Sequence, residues 1–170
     1  MGRDEAALAS ASEPVLRPDD ATGELIPELP GATPGSAVAR VAATPAAVEL
    51  LATLTDRHGP LLLHQSGGCC DGSAPMCYGR QEFIIGDQDV FLGLIGTPEM
   101  PVPVYIGGQQ FAYWSHTHLT IDVVAGRGGG FSLEAPEGFR FLTRSRLFSD
   151  EEADALEASG PAPRGEWQAA

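Results

Sequence analysis

Every cysteine of the chain lies in one run, His64-Gln65-Ser66-Gly67-Gly68-Cys69-Cys70-Asp71-Gly72-Ser73-Ala74-Pro75-Met76-Cys77-Tyr78. Thiolates are the preferred ligands of zinc, cuprous copper and iron–sulfur clusters, and they also exchange sulfur. The chemistry expected here is therefore that of a transition metal (iron, zinc or copper), an iron–sulfur cluster or a persulfide. Adjacent side chains of an extended segment point apart, so Cys69 and Cys70 rarely face one ion, whereas Cys77 can fold back across the loop. Cys69 and Cys77 are the expected first ligands, with Cys70 and His64 next. The plainer reading makes one or two of the three thiols small buried hydrophobes.

A second constellation is His116 and His118, which a strand would place on one face, with Asp122 four residues on. Followed by Pro136-Glu137-Gly138, this order resembles the two metal-binding motifs of cupins, and it defines an alternative metal enzyme built on His116, His118 and Asp122. Two departures stand out: Asp122 replaces the usual glutamate, and Phe141 stands where the second motif would carry histidine. A polar strand edge with a hydrogen-bonded histidine is the plainer account. Arg140, Arg144 and Arg146 share one face of a terminal strand and are expected to pair with acidic residues. Gly126-Arg127-Gly128-Gly129-Gly130 leads into a strand and not a helix, so it lacks the helix terminus that binds phosphate.

These residues need a scaffold. The chain has 170 residues and is 43% hydrophobic, enough for one core, and 21 glycines with 14 prolines favour short strands and turns over a bundle. The formal charge of -13 argues against nucleic acid and anionic membranes. Every basic side chain is arginine, which excludes Schiff-base catalysis by lysine. No signal-peptide pattern or membrane-length apolar run occurs, so a cytoplasmic protein with free thiols is expected.

Residues 1–40 lack periodicity and read as a disordered or loosely attached acidic, Pro-rich arm. Residues 41–148 read as a single β-rich domain, and 149–170 as a short acidic helix and tail. Thr44-Pro45 starts the main helix, Ala47, Leu50, Leu51 and Leu54 give it an apolar stripe, and Gly59-Pro60 stops it. Strands are predicted at 61–65, 81–85, 89–95, 104–106, 118–124, 130–134 and 139–143, with a hairpin turn at Gly86-Asp87 and a loop over 98–103. Ser149 and Glu152 form a capping box for the last helix.

From about residue 41 to 148 the chain resembles a bacterial family of unknown function that is often encoded beside aldehyde or alcohol dehydrogenases. The motifs are Gln65-Ser66-Gly67-Gly68-Cys69-Cys70-Asp71-Gly72, Pro75-Met76-Cys77, Asp89-Val90, Tyr113-Trp114, Ile121-Asp122-Val123-Val124, Phe131-Ser132-Leu133-Glu134 and Arg140-Phe141-Leu142-Thr143-Arg144-Ser145-Arg146. A more distant resemblance is to A-type iron–sulfur carriers of the HesB and IscA kind. It rests on the order helix, strand, Gly67-Gly68-Cys69-Cys70-Asp71-Gly72 loop, Ile121-Asp122-Val123-Val124 and Gly128-Gly129-Gly130-Phe131. The carriers' closing Cys-x-Cys is replaced here by Thr143-Arg144-Ser145-Arg146.

The resemblances imply a HesB/IscA-like α+β fold, mainly β, as a compact mixed sheet or β-sandwich with one main helix. They also imply a small accessory protein, rather than an enzyme, that serves alcohol or aldehyde dehydrogenase metabolism. A dehydrogenase partner and assembly into a homo-oligomer fit this reading. So does a third account, a cofactor-free binding partner of a dehydrogenase whose thiol loop is structural.

Overall fold

In a computed structural model of the chain, the residues described are 14–18, 23–66, 74–126 and 131–168. Among them, nine strands form two mixed sheets. The first has the order β1 (Val15–Pro18), β2 (Leu25–Pro30), β3 (Val41–Ala43), β8 (Thr117–Ala125), β9 (Phe139–Leu147). The second has the order β5 (Met76–Gly79), β4 (Leu61–Gln65), β7 (Met100–Ile106), β6 (Val90–Thr97). Only the β3–β8 and β4–β7 pairs are parallel. The fold is α+β and mainly β, with three helices: α1 (Pro45–His58), α2 (Gly108–Trp114) and α3 (Asp150–Ala158).

The main helix begins and ends where its punctuation requires. Thr44 accepts a hydrogen bond from Ala47 N–H, Pro45 occupies the first turn, and Gly59 closes the helix at φ 80°. Its buried face, Ala47, Leu51 and Leu54, meets residues of both sheets in one core that includes Val41, Leu63, Val104, Ile121 and Phe141. The capping box of α3 is complete, with Ser149 and Glu152 each bonding the other's backbone N–H.

The sheets are stitched together by residues 31–33. Gly31 N–H donates to Val41 O on β3, while Ala32 and Leu94 exchange two backbone bonds of 2.9 and 2.7 Å with β6. Such contact demands bare backbone: a Cβ on Gly31 would strike Val41 O and Leu94 O, and one on Gly93 would strike Ala32 O. The described part of the expected loose arm is thus built into the fold. Leu29 and Pro30 pair with β3, and Ala32 and Thr33 are buried. No periodicity announces this, because the segment joins edges and covers no face.

Three further expectations are corrected. Residues 81–85 form turns and not a hairpin strand, because the C-terminal segment takes that place beside β6: Phe91 N–H donates to Pro163 O and Val90 bridges Arg164. Phe83 and Ile85 instead pack on the outer face of the second sheet with Leu62 and Tyr105. Residues 131–134 hook onto β5 as a turn, with Leu133 N–H bonded to Cys77 O at 3.0 Å. Pro101 and Pro103 lie inside β7, expected as loop. They pair only with β6, since β4 reaches β7 no earlier than Val104, and a proline is tolerated on such an unpaired edge.

Candidate functional site at the mouth of the cysteine loop

β4 and β5 are antiparallel neighbours, with His64 opposite Met76 and Leu63 opposite Cys77. The cysteine run therefore begins and ends at one end of the second sheet. Cys69 and Cys70 lie outside the described residues.

His64 is buried and held at both ring nitrogens. Its Nε2 is 2.9 Å from Asp89 Oδ1, and its Nδ1 is 2.5 Å from Ser66 Oγ. A carboxylate only accepts, so Nε2 carries a proton toward Asp89, and Nδ1 meets the Ser66 hydroxyl, where the loop begins. Asp89 is itself fixed by the turn before β6, accepting from Gly86 N–H through Oδ2 at 2.8 Å. Phe83 packs against the imidazole at 4.8 Å between ring centres and stacks on Tyr78. A carboxylate that fixes one imidazole nitrogen is the arrangement that orients metal-binding histidines, and here a ligand at Nδ1 would take the place of the Ser66 hydroxyl. The same order of groups activates a hydroxyl or thiol nucleophile.

Cys77, expected as a first ligand, is on the other face of the sheet. Side chains alternate along a strand, and Cys77 joins Leu61 and Leu63 in the main core, fully buried, while His64 faces the outer layer. Burial pushes its thiol pKa well above the ordinary range, and Glu134 adds to the shift. Cys77 and His64 thus cannot share one ion in this arrangement.

The inner face, on which Cys77 lies, carries a polar group of its own. Cys77 N–H donates to Ser132 Oγ at 2.8 Å, Ser132 donates to Glu134, and Phe141 N–H reaches the other Glu134 oxygen. Glu134 is buried, and burial raises its pKa above the ordinary carboxylate value. Beside it, Thr143 Oγ1 donates to the buried Gln65 Oε1 at 3.0 Å. Residue types and spacing alone do not single out Asp89, Ser132 and Glu134. Their signal is membership of the Asp89-Val90 and Phe131-Ser132-Leu133-Glu134 motifs.

His116, His118 and Asp122 do not converge. His116 is exposed, in a cleft against α3. His118 is buried, its ring edge-on to Phe148, with no hydrogen-bond partner for Nδ1. Burial, together with the nearby Arg146 charge, lowers its pKa to about 3. Asp122 accepts from Thr44 Oγ1 at 2.9 Å and Arg144 Nε at 2.7 Å, tying α1 to β8 and β9. Arg146 pairs with Glu152 of α3, so Arg144 and Arg146 both hold acidic partners. Among the described residues, no three His, Cys, Asp or Glu side chains are grouped to hold a metal, and no helix is long and apolar enough to cross a membrane.

No curated protein and no solved structure matches the chain. A family model described as "Domain of unknown function (DUF779)" matches residues 50–147, more than half of the chain and the part that carries His64, Cys77, Asp89 and Glu134, and the chain belongs to that family.

Proposed function

We propose that the protein is a small accessory protein that holds a soft transition metal (iron, zinc or copper), an iron–sulfur cluster or a persulfide on Cys69 and Cys70, with His64 as their partner. The observation that carries this reading is the Asp89–His64 pair: a buried imidazole oriented by a carboxylate, with its other nitrogen at the Ser66 hydroxyl where the loop begins. Cys69 follows Ser66 by three residues, within about 11 Å of chain reach. A histidine so held can ligate a metal directly, or take a proton and leave a thiolate beside it. Cys77 serves the core, and the pair Cys69 and Cys70 supplies the sulfur chemistry.

The resemblance to A-type carriers supports a cluster or metal as cargo, and the association with alcohol and aldehyde dehydrogenases supports a dehydrogenase as partner. Metal and acid-labile sulfide, measured on protein purified without oxygen, test this. Both cargo and sulfide are expected to fall in Cys69→Ser or Cys70→Ser and to persist in Cys77→Ala and His116→Ala. A persulfide would appear as sulfane sulfur without metal. Absence of metal, sulfide and sulfane sulfur from the wild-type protein would sink the proposal and leave the cofactor-free dehydrogenase partner as the better account.

A further inference from the structure

Far from the cysteine loop, the start of β3, the α2–β8 turn and α3 enclose a cleft of about 610 Å³, a size that suits small organic ligands. Arg40 lines it. This side chain is only 9% exposed, although no carboxylate or carbonyl among the described residues accepts from its guanidinium. Its backbone is fixed instead, with N–H bonded to Thr33 Oγ1 at 2.8 Å and O accepting from Leu119 N–H at 3.0 Å. The guanidinium stacks over the Phe111 ring at 5.5 Å. In a chain with 23 acidic side chains against 10 arginines, Arg40 is thus a largely buried residue that forms no ion pair among the described residues.

A buried charge is costly unless it is paired, and a stacked ring offsets only part of that cost. The cleft supplies what an anion on Arg40 would need. Ser115 and His116 offer exposed donors beside it, and Leu147, Phe148, Leu156 and Pro161 form an apolar wall. Leu147 is 64% exposed, so apolar surface is open to an organic tail. Besides Arg40, the titratable residues lining the cleft are His116 and Glu157. Glu157 opposes any anion there, and a dianion more strongly than a monoanion.

We propose that this cleft binds a small organic monocarboxylate, its carboxylate on Arg40 and its hydrocarbon against Leu147, Phe148 and Leu156. The geometry suits a guanidinium fork, which matches carboxylate better than any other side chain. The full-length protein would be titrated with hexanoate and, separately, with 1-hexanol, by calorimetry. Hexanoate should bind and hexanol should bind far more weakly. Arg40→Gln should weaken hexanoate at least about tenfold, as loss of a charge-assisted pair implies. Equal binding of both probes, hexanoate binding unchanged in Arg40→Gln, or no hexanoate binding by the wild type would each overturn the proposal. Should Arg40→Gln fail to fold, the exposed Glu157→Gln decides: removal of the rim charge should tighten hexanoate binding, and an unchanged affinity would refute the site.

Discussion

Replacing Phe141 by alanine is expected to lower the stability of the fold by about 3–5 kcal/mol, seen as an earlier urea midpoint at unchanged slope. Phe141 is fully buried on β9, opposite Val123 of β8, within the core that both sheets and α1 share. Truncation would leave a cavity between elements that are already pinned by backbone pairing and cannot close on it. Because Phe141 N–H also reaches Glu134, the polar group of Ser132 and Glu134 would loosen with it. A loss below about 1 kcal/mol would be typical of a surface position and would contradict a common core. The position is instructive, since a cupin-like reading would have placed a metal-binding histidine there.

The second large effect is a loss of stability on the acid side, set by His118. Its pKa lies near 3 in the fold against 6.5 in a free chain, so below pH 6.5 the unfolded state binds a proton that the folded state refuses. Stability therefore falls as pH drops from about 6.5 toward 3, by about 1.4 kcal/mol per pH unit and on the order of 5 kcal/mol in all.

Two carboxylates act in the same range. Glu152, lowered to about 2 chiefly by its hydrogen bond from Arg146, loses its contribution only as pH falls below 4.5. Glu134, raised by burial, works in the opposite sense, its contribution present at low pH and lost as pH rises through its folded value. The His118 share is thus the difference between wild type and His118→Leu. Unfolding measured from pH 7 to 4 should show the variant losing less stability, with the gap opening below pH 6.5. Parallel curves would mean that His118 titrates in the fold as it does in water.

How much of this was legible in the sequence depends on whether the signal is local. The ends of α1 are written in Thr44, Pro45 and Gly59, and those of α3 in Ser149 and Glu152; each acts within a turn of itself. β4 opens on an apolar run and β8 mixes polar residues with β-branched and apolar ones, signals that are also local. β7 was hidden by Pro101 and Pro103, which break a strand unless its far edge is unpaired, and that depends on β4 ending where it does. The turn over residues 81–85 was misread because the partner of β6 on that side comes from Pro163 and Arg164, more than 70 residues away.

The site divides in the same way. His64 stood out by type and by its place before the loop, but Asp89 lies 25 residues further on and meets it only through the β4–β7–β6 order. Cys77 looked equivalent to Cys69 and Cys70 until the alternation of β5 turned it inward. Arg40 gave no signal as a residue type, because an arginine at the end of a polar segment is ordinary. What marks it is the absence of an ion-pair partner among the described residues of a chain rich in acids, and only packing reveals that.

The most direct test of the central claim is the pH dependence of alkylation at Cys69 and Cys70, followed by peptide mass analysis in wild type, His64→Gln and Asp89→Asn. A thiol beside an oriented imidazole should titrate at least about one unit below the free-cysteine value of roughly 8.5. Both substitutions should return it toward that value, while Cys77 stays unreactive until the protein unfolds. Identical profiles in wild type and His64→Gln, or Cys77 reacting as fast as the loop thiols, would contradict the account.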